Sequence, residues 1–159
     1  KVCRDLLHEK IPIIDMLTII EAVADIAEFT KAPEVLLEHV RAKLYRLITQ
    51  KFKDTDGVLH IITIKPELEQ QFIGKIQEHH GVSQLMLSIA EINNLVTKTK
   101  KLLDSIEVKG FSKITMVVDP ILRKRISEIY EKFGLQVSVL SHAELDSKAN
   151  FAIEGTLEF

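Results

Sequence analysis

The sequence has no tryptophan and only two tyrosines, and aromatic residues make up 6% of the chain. Proteins that bind single-stranded nucleic acid stack the bases on aromatic side chains. Because such side chains are few and the formal net charge is −2, the sequence argues against nucleic-acid binding. The single cysteine, Cys3, cannot form a disulfide within the chain, which fits a reducing compartment. No apolar run reaches the ~20 residues that cross a bilayer.

Glycine and histidine lack the clustering that common ligand sites need. The six glycines are isolated, whereas a phosphate-binding loop needs several close together so that its backbone N–H groups converge. His79 and His80 are adjacent, but neighbouring residues of a helix point about 100° apart and no further ligand stands one turn away. We interpret them as a solvated helix end. The sequence therefore predicts no metal and no cofactor.

The residues that are present suit a folded domain. The chain has 159 residues, of which 46% are hydrophobic and 28% charged, as expected for one globular domain or two small subdomains. It has no initiator methionine and begins in what reads as the middle of a helix. We therefore expect a fragment of a longer protein.

A helical hairpin over residues 9–46 is the strongest structural pattern. Asp15 stands where its carboxylate can cap a helix beginning near Met16, and Pro33 suits the first position of a second helix after a short turn. Apolar residues occupy most of the first helix, so we predict that it is buried on most of its circumference. The spacing also predicts that Ile20 faces Leu44 across the hairpin.

After a polar boundary at residues 51–57, short branched segments alternate with helical patterns. We predict strands over 58–64, 114–118 and 136–140, and helices over 66–79, from the capping box of Ser88 and Glu91 onward, and from Pro120 to Phe133. Residues 63–76 and 117–130 share the order strand, polar residue, proline, helix. The predicted fold class is α+β or α/β: a helical subdomain (1–56), a small α/β subdomain with about three strands (57–146) and a loosely held tail (147–159).

Two patterns leave alternatives open. Asp119 ends a predicted strand, where a phosphoacceptor of a phosphotransfer enzyme would lie, but the following Pro120 favours a helix cap. A set of basic residues could face an acidic partner or nucleic acid, or form a solvated surface balanced by nearby glutamates. Its members are Lys98, Lys100, Lys101, Lys109, Lys113, Arg123, Lys124 and Arg125.

The hairpin also carries a resemblance to a known family. The runs IPIIDMLTIIEAVAD and TKAPEVLLEHVRAKLYRLITQ resemble the cytoplasmic part of export-gate membrane proteins of flagellar and type III secretion systems, the flagellum/haemolysin-region/invasion export pore family. Weaker similarity continues at 58–69 and 139–145. One departure is Ile14, where the family often has a basic residue. The matching residues are Ile11, Pro12, Ile13, Asp15, Met16, Thr18, Ile19, Glu21, Thr30, Pro33, Glu38, Val40, Arg41, Leu44, Arg46 and Ile48.

The resemblance implies a docking module rather than an enzyme. Family members join an N-terminal membrane domain at the bacterial inner membrane to a cytoplasmic portion that forms a homo-oligomeric ring. Substrate–chaperone complexes, other export proteins and the export ATPase complex dock there. The resemblance thus implies a soluble cytoplasmic fragment without cofactors, and the wording of residues 30–41 favours a flagellar over a virulence system.

Separate acidic and basic surfaces on the hairpin indicate where subunits would meet. A head-to-tail contact repeated by rotation closes into a ring, and such a contact needs two complementary surfaces. Basic residues Lys43, Lys51 and Lys53 lie near the exit of the second helix. The candidate interface residues are Asp15, Glu21, Asp25, Glu28, Arg41 and Arg46.

Overall fold

The computed structural model describes all residues from 1 to 159. The chain forms seven α-helices, six β-strands and one short 3-10 helix. The helices are α1 (Val2–His8), α2 (Met16–Ala27), α3 (Pro33–Lys43), α4 (Tyr45–Phe52), α5 (Pro66–Ile73), α6 (Ile89–Glu107) and α7 (Pro120–Lys132). The strands are β1 (Leu59–Ile64), β2 (Ile76–His79), β3 (Val82–Leu85), β4 (Thr115–Val118), β5 (Ser138–Ser141) and β6 (Phe151–Leu157), and the 3-10 helix spans His142–Glu144.

A four-stranded parallel sheet forms the centre, in the order β5-β4-β1-β6. Each of the two strand-proline-helix segments begins with a strand of this sheet: β1 precedes α5, and β4 precedes α7. These two strands are neighbours in the sheet. Parallel neighbours need a crossover between them, and helices provide it. The predicted mixed α and β class is therefore confirmed, with a fourth strand in the sheet and a separate β2–β3 hairpin in addition.

Helices cover both faces of the sheet. On one face, the side chains of Leu59, Ile61, Val117 and Leu140 form one core with helices α1 to α4. On the other face, the opposite residues of the same strands form a second core with α5, α6 and α7. Strands buried on both faces read as continuous apolar runs, as β4 does. The helical part thus packs directly on the sheet, and the division at residue 56 stays a prediction.

The predicted helix ends hold at some positions and fail at one. Asp15 accepts a hydrogen bond from the Thr18 N–H at 3.2 Å, and Ser88 and Glu91 form the predicted capping box. The prediction of a helix over 66–79 is wrong after Ile73, because a two-stranded hairpin follows. His80 and Gly81 both have positive φ, as a tight hairpin turn requires. The two histidines therefore belong to an exposed strand end and turn.

The prediction of a loosely held tail is wrong for residues 151–157. These residues form β6, which pairs with β1 along its whole length. A β-bulge places Glu154 opposite no partner residue, since Ile61 pairs with Ile153 and Ile62 with Gly155. The bulge reverses the alternation of side chains, so that Leu157 is buried against the second core. The alternating apolar residues Phe151, Ile153 and Leu157 allow an edge strand here, but the sequence does not give its register because a bulge leaves no clear signal.

Candidate interaction surface

The helix α2 lies at the outside of the helical layer. Its principal neighbour is α3, and only Ile19 and Ala22 are buried. The prediction that α2 is buried on most of its circumference is therefore wrong: Leu17 is 68% exposed and Ile20 is 59% exposed. Ile20 consequently does not face Leu44, which is buried within the core. A helix with apolar residues all round presents the unburied ones to solvent when only one neighbour packs against it.

Ile14, which precedes α2, extends this exposed apolar surface and is 80% exposed. Met16 is also exposed. Together Ile14, Met16, Leu17 and Ile20 form what we call the α2 surface. Contiguous apolar residues in contact with water mark sites where proteins bind one another, whereas scattered ones do not. The position that departs from the family pattern thus lies on the surface rather than in the core.

Four of the predicted interface residues lie on α2 or at its ends, near the α2 surface. Glu21, Asp25 and Glu28 are exposed along α2, and Asp25 lies 4.0 Å from Nε2 of His39. Asp15 caps α2, and its hydrogen bonds from the side chain and the backbone of Thr18 hold the pKa of its carboxyl below the ordinary value. Of these carboxylates, Glu21 and Glu28 make no ion pair or side-chain hydrogen bond within the chain and are exposed to contact another molecule.

Asp15 also brings the acidic surface next to the basic one. It lines a shallow cavity of about 260 Å³ together with Lys43 and Arg46, which flank the break between α3 and α4. Arg46 is exposed, and its guanidinium lies 5.4 Å from the centre of the Tyr45 ring. The structure thus brings Asp15 and Arg46 to the same cavity, although they are far apart in sequence.

Arg41 is the predicted interface residue that the structure places elsewhere. Its side chain is 1% exposed, and its Nε and Nη2 atoms donate to the two carboxylate oxygens of Glu144 at 2.6 and 2.9 Å. The inclusion of Arg41 among the surface residues was therefore wrong. The charge pattern of α3 did not reveal this because the partner is more than a hundred residues away.

Arg41 belongs to a buried ionic cluster that joins the two cores, consisting of Glu9, Glu38, Arg41, Arg123 and Glu144. Burial alone raises the pKa of Glu9, but the charges of Arg123 and Arg41 outweigh it and hold the pKa below the ordinary value. For Glu38 burial dominates and raises the pKa. Burial by itself lowers the pKa of Arg123, but its three carboxylate neighbours outweigh burial and raise the pKa above the ordinary value. The cluster therefore holds α1, α3 and α7 together by charge.

The other candidate sites resolve into structural roles. The carboxylate of Asp119 accepts a hydrogen bond from the Ile121 N–H at 3.0 Å, which confirms that it caps α7. Two members of the basic set are buried in ion pairs, Arg123 in the cluster and Arg125 with Glu34. The structure gathers no group of three or more histidine, cysteine, aspartate or glutamate residues suited to a metal ion.

Neither the exposure of the α2 surface nor the ionic cluster was predicted from the sequence. For α2 a signal exists: apolar residues on nearly every side of a helix that follows a proline-containing loop indicate a second, intermolecular neighbour as readily as a core. For the cluster no local signal exists, because its members come from four separate segments.

Known proteins resemble the chain in sequence and in fold. The model of the FHIPEP family matches residues 1–150. The flagellar biosynthesis protein FlhA of Helicobacter pylori is 40% identical over 157 residues, which is 98% of this chain and 21% of the relative. The chain thus spans about a fifth of the length of that relative. None of the seven helices combines the length and the apolar character of a membrane span.

Solved structures share the fold at lower sequence identity. The cryo-EM structure of nonameric EPEC SctV-C has a TM-score of 0.86 at 20% identity and covers 98% of this chain and 46% of that one. The complex of the Chlamydia pneumoniae CdsV and CdsO proteins has a TM-score of 0.84 at 21% identity and covers 99% of this chain and 46% of that one. On the match to residues 1–150 and the identity to FlhA, the chain belongs to the FHIPEP family, the export-gate proteins of flagellar and type III secretion systems.

Proposed function

We propose that this chain is part of the cytoplasmic portion of a flagellar export gate and contributes a subunit contact to its ring. The flagellar assignment is supported by 40% identity to a flagellar FlhA, against 20% to the type III secretion structure. The full-length protein would lie at the bacterial inner membrane, with this part on the cytoplasmic side. The role is one of binding and not of catalysis.

The exposed α2 surface is the observation that carries the proposal. Leaving Leu17 and Ile20 in water is unfavourable by ~25 cal/mol for each Å² of apolar surface, and a neighbouring subunit would remove that cost. Subunit contacts combine such an apolar centre with a charged rim. Glu21, Asp25 and Glu28 form the rim on α2, and Asp15 and Arg46 form it at the break between α3 and α4. Nonameric assembly of the similar SctV-C fits this reading.

Partners beyond the ring form the second part of the proposal. The similar CdsV protein forms a complex with CdsO, which supports docking of a component of the export ATPase complex on the ring. Substrate–chaperone complexes and other export proteins would dock on the same cytoplasmic portion. The chain itself spans only a fifth of its relative, so these contacts can involve segments outside residues 1–159.

Charge reversal in the full-length protein tests the ring contact. Glu21→Lys and Arg46→Glu should each weaken ring assembly and secretion, because each places like charges at the rim. The melting temperature of this chain should stay nearly unchanged, since exposed ion pairs contribute only ~0–1 kcal/mol. Glu107→Lys, at the exposed end of α6, is the matched control. Wild-type assembly and secretion in both reversed variants would show that the subunit contact lies elsewhere.

A further inference from the structure

The strand β5 lies at one edge of the sheet and borders a cavity of about 470 Å³. Six consecutive residues, 135–140, line this cavity, and the last three of them belong to β5. Successive side chains of a strand point to opposite faces of the sheet, so a cavity over one face would contact only alternate residues. The cavity therefore runs along the backbone edge of β5.

The backbone along this edge is unpaired. β5 pairs with β4 alone, so alternate residues direct their N–H and C=O groups away from the sheet. Apart from the pairing with β4, residues 136–140 receive and donate no backbone hydrogen bond within the chain. The Ser141 N–H donates to Oε2 of Glu144 at 3.3 Å, which closes the edge at its C-terminal end. The open part of the edge thus coincides with the cavity.

A buried donor lines the same cavity. Nη1 of Arg41 has no hydrogen-bond partner, and Oε1 of Glu9 lies 3.5 Å from it. Leaving a buried donor without an acceptor is unfavourable. The ionic cluster already has three carboxylates against two guanidinium groups, so a further anion is disfavoured. The cluster end of the cavity therefore favours an uncharged polar ligand, such as a peptide backbone, over an anion.

The remaining walls of the cavity fit a polypeptide. Phe52, a member of the first core, and Leu135, which packs against the second core, supply apolar contacts on the two sides of the strand edge. At the rim, Nε2 of His8 lies 2.9 Å from Oε1 of Glu131, and both side chains are exposed and free to move aside. An extended segment that adds to a sheet edge combines backbone pairing with pockets for alternate side chains.

We propose that the edge of β5 is a strand-addition site for an extended segment of a partner polypeptide. The segment pairs with the backbone of residues 136–140 and places alternate apolar side chains toward Phe52 on one face of the sheet and toward Leu135 on the other. The opposite edge, β6, carries a bulge, which is a common way of discouraging strand pairing. The site is independent of the proposed ring contact, which lies on α2.

A model peptide tests the site in this chain. The probe is a fluorescently labelled Thr-Val-Thr-Val-Thr peptide with blocked termini, and binding is followed by fluorescence anisotropy and by the amide NMR signals of the protein. Ser127→Trp on α7 fills the cavity and should weaken binding by at least about tenfold. Ser105→Trp, on an exposed part of α6 away from the cavity, should leave the affinity unchanged.

A chemical change in the peptide gives a second test that does not depend on folding of a variant. Methylating alternate backbone nitrogens of the probe removes the N–H groups that pair with a strand edge, and should also weaken binding by at least about tenfold. Amide signals of residues 136–140 should shift on binding of the unmodified peptide. The proposal would be overturned if the methylated peptide bound equally well, if no binding occurred at millimolar concentration, or if only amide signals of β6 shifted. It would also be overturned if the same amide signals shifted with protein concentration in the absence of peptide.

Discussion

The two helices of the hairpin differ in what they bury. α2 leaves Leu17 and Ile20 in contact with water, whereas α3 buries the charged side chain of Arg41 in the middle of the fold. The reason is position: α3 lies between α1, α2 and the 3-10 helix, while α2 has α3 as its principal neighbour. The apolar content of a helix therefore does not say whether it belongs to the core. In a chain that is part of an assembly, it also shows where a neighbour is expected.

Breaking the ionic cluster on α3 should give the largest loss of stability. Arg41→Met removes both guanidinium hydrogen bonds that Glu144 accepts and leaves only Arg123, at 3.6 Å, beside its buried carboxylate. Removing one member of a buried pair costs ~3–5 kcal/mol. Chemical denaturation measures the free energy of unfolding. The double variant Arg41→Met/Glu144→Met should recover much of the loss, because it restores the net charge of the cluster and Glu9 and Glu38 keep their pairs with Arg123. Arg46→Met, at an exposed position of α4, should change the stability by less than about 0.5 kcal/mol.

A pair of truncations sharpens the comparison for apolar residues. Leu44→Ala removes a buried side chain at the end of α3 and should cost ~2–5 kcal/mol. Ile20→Ala removes an exposed one from α2 and should cost less than about 0.5 kcal/mol in this chain. Thermal and denaturant unfolding of the two variants measure the difference. Equal losses would show that α2 is packed as tightly as α3.

The smallest expected effect is a pH dependence of the free energy of unfolding that arises at β6. There, as in the ionic cluster, charged side chains hold an element in place. Nδ1 of His60 lies 2.9 Å from Glu154 on the bulge, and Nε2 lies 2.8 Å from Asp56. Burial lowers the pKa of His60, but the hydrogen bonds to Glu154 and Asp56 outweigh it and raise the pKa above its ordinary value of 6.5. Only the protonated ring donates to both carboxylates.

The sign of the effect follows from the raised pKa. A group whose pKa is higher in the folded state stabilises the fold fully below pH 6.5, and this contribution is lost as the pH rises through the folded value. His60→Gln should abolish this alkaline-side decrease in the free energy of unfolding, and His142→Gln, at an exposed position, should not. The protection factors of the β6 amides, which compare their hydrogen exchange with that of an unfolded chain at the same pH, should fall over the same pH range. A pH profile that His60→Gln leaves unaltered would contradict this assignment.

Local chemistry explains which features the sequence predicted. The Asp15 cap, the Ser88 and Glu91 capping box and the prolines that begin α3 and α7 act within one helical turn, so sequence patterns reveal them. The Arg41–Glu144 pair and the bulge at Glu154 depend on segments that meet only in the folded chain. Of the predicted interface residues, those on α2 lie on one exposed face, and Arg41 failed because its partner lies far along the sequence.

The central claim is that the α2 surface forms a subunit contact, and one measurement tests it directly. Leu17→Lys, introduced into the full-length protein, places a charge in the middle of this surface without touching the core. The molecular mass of the purified complex is then measured by mass photometry, beside Val108→Lys as a control at another exposed apolar residue. We expect Leu17→Lys to abolish ring-sized complexes and Val108→Lys to retain them, with both chains folded. Rings of wild-type abundance in Leu17→Lys would contradict it.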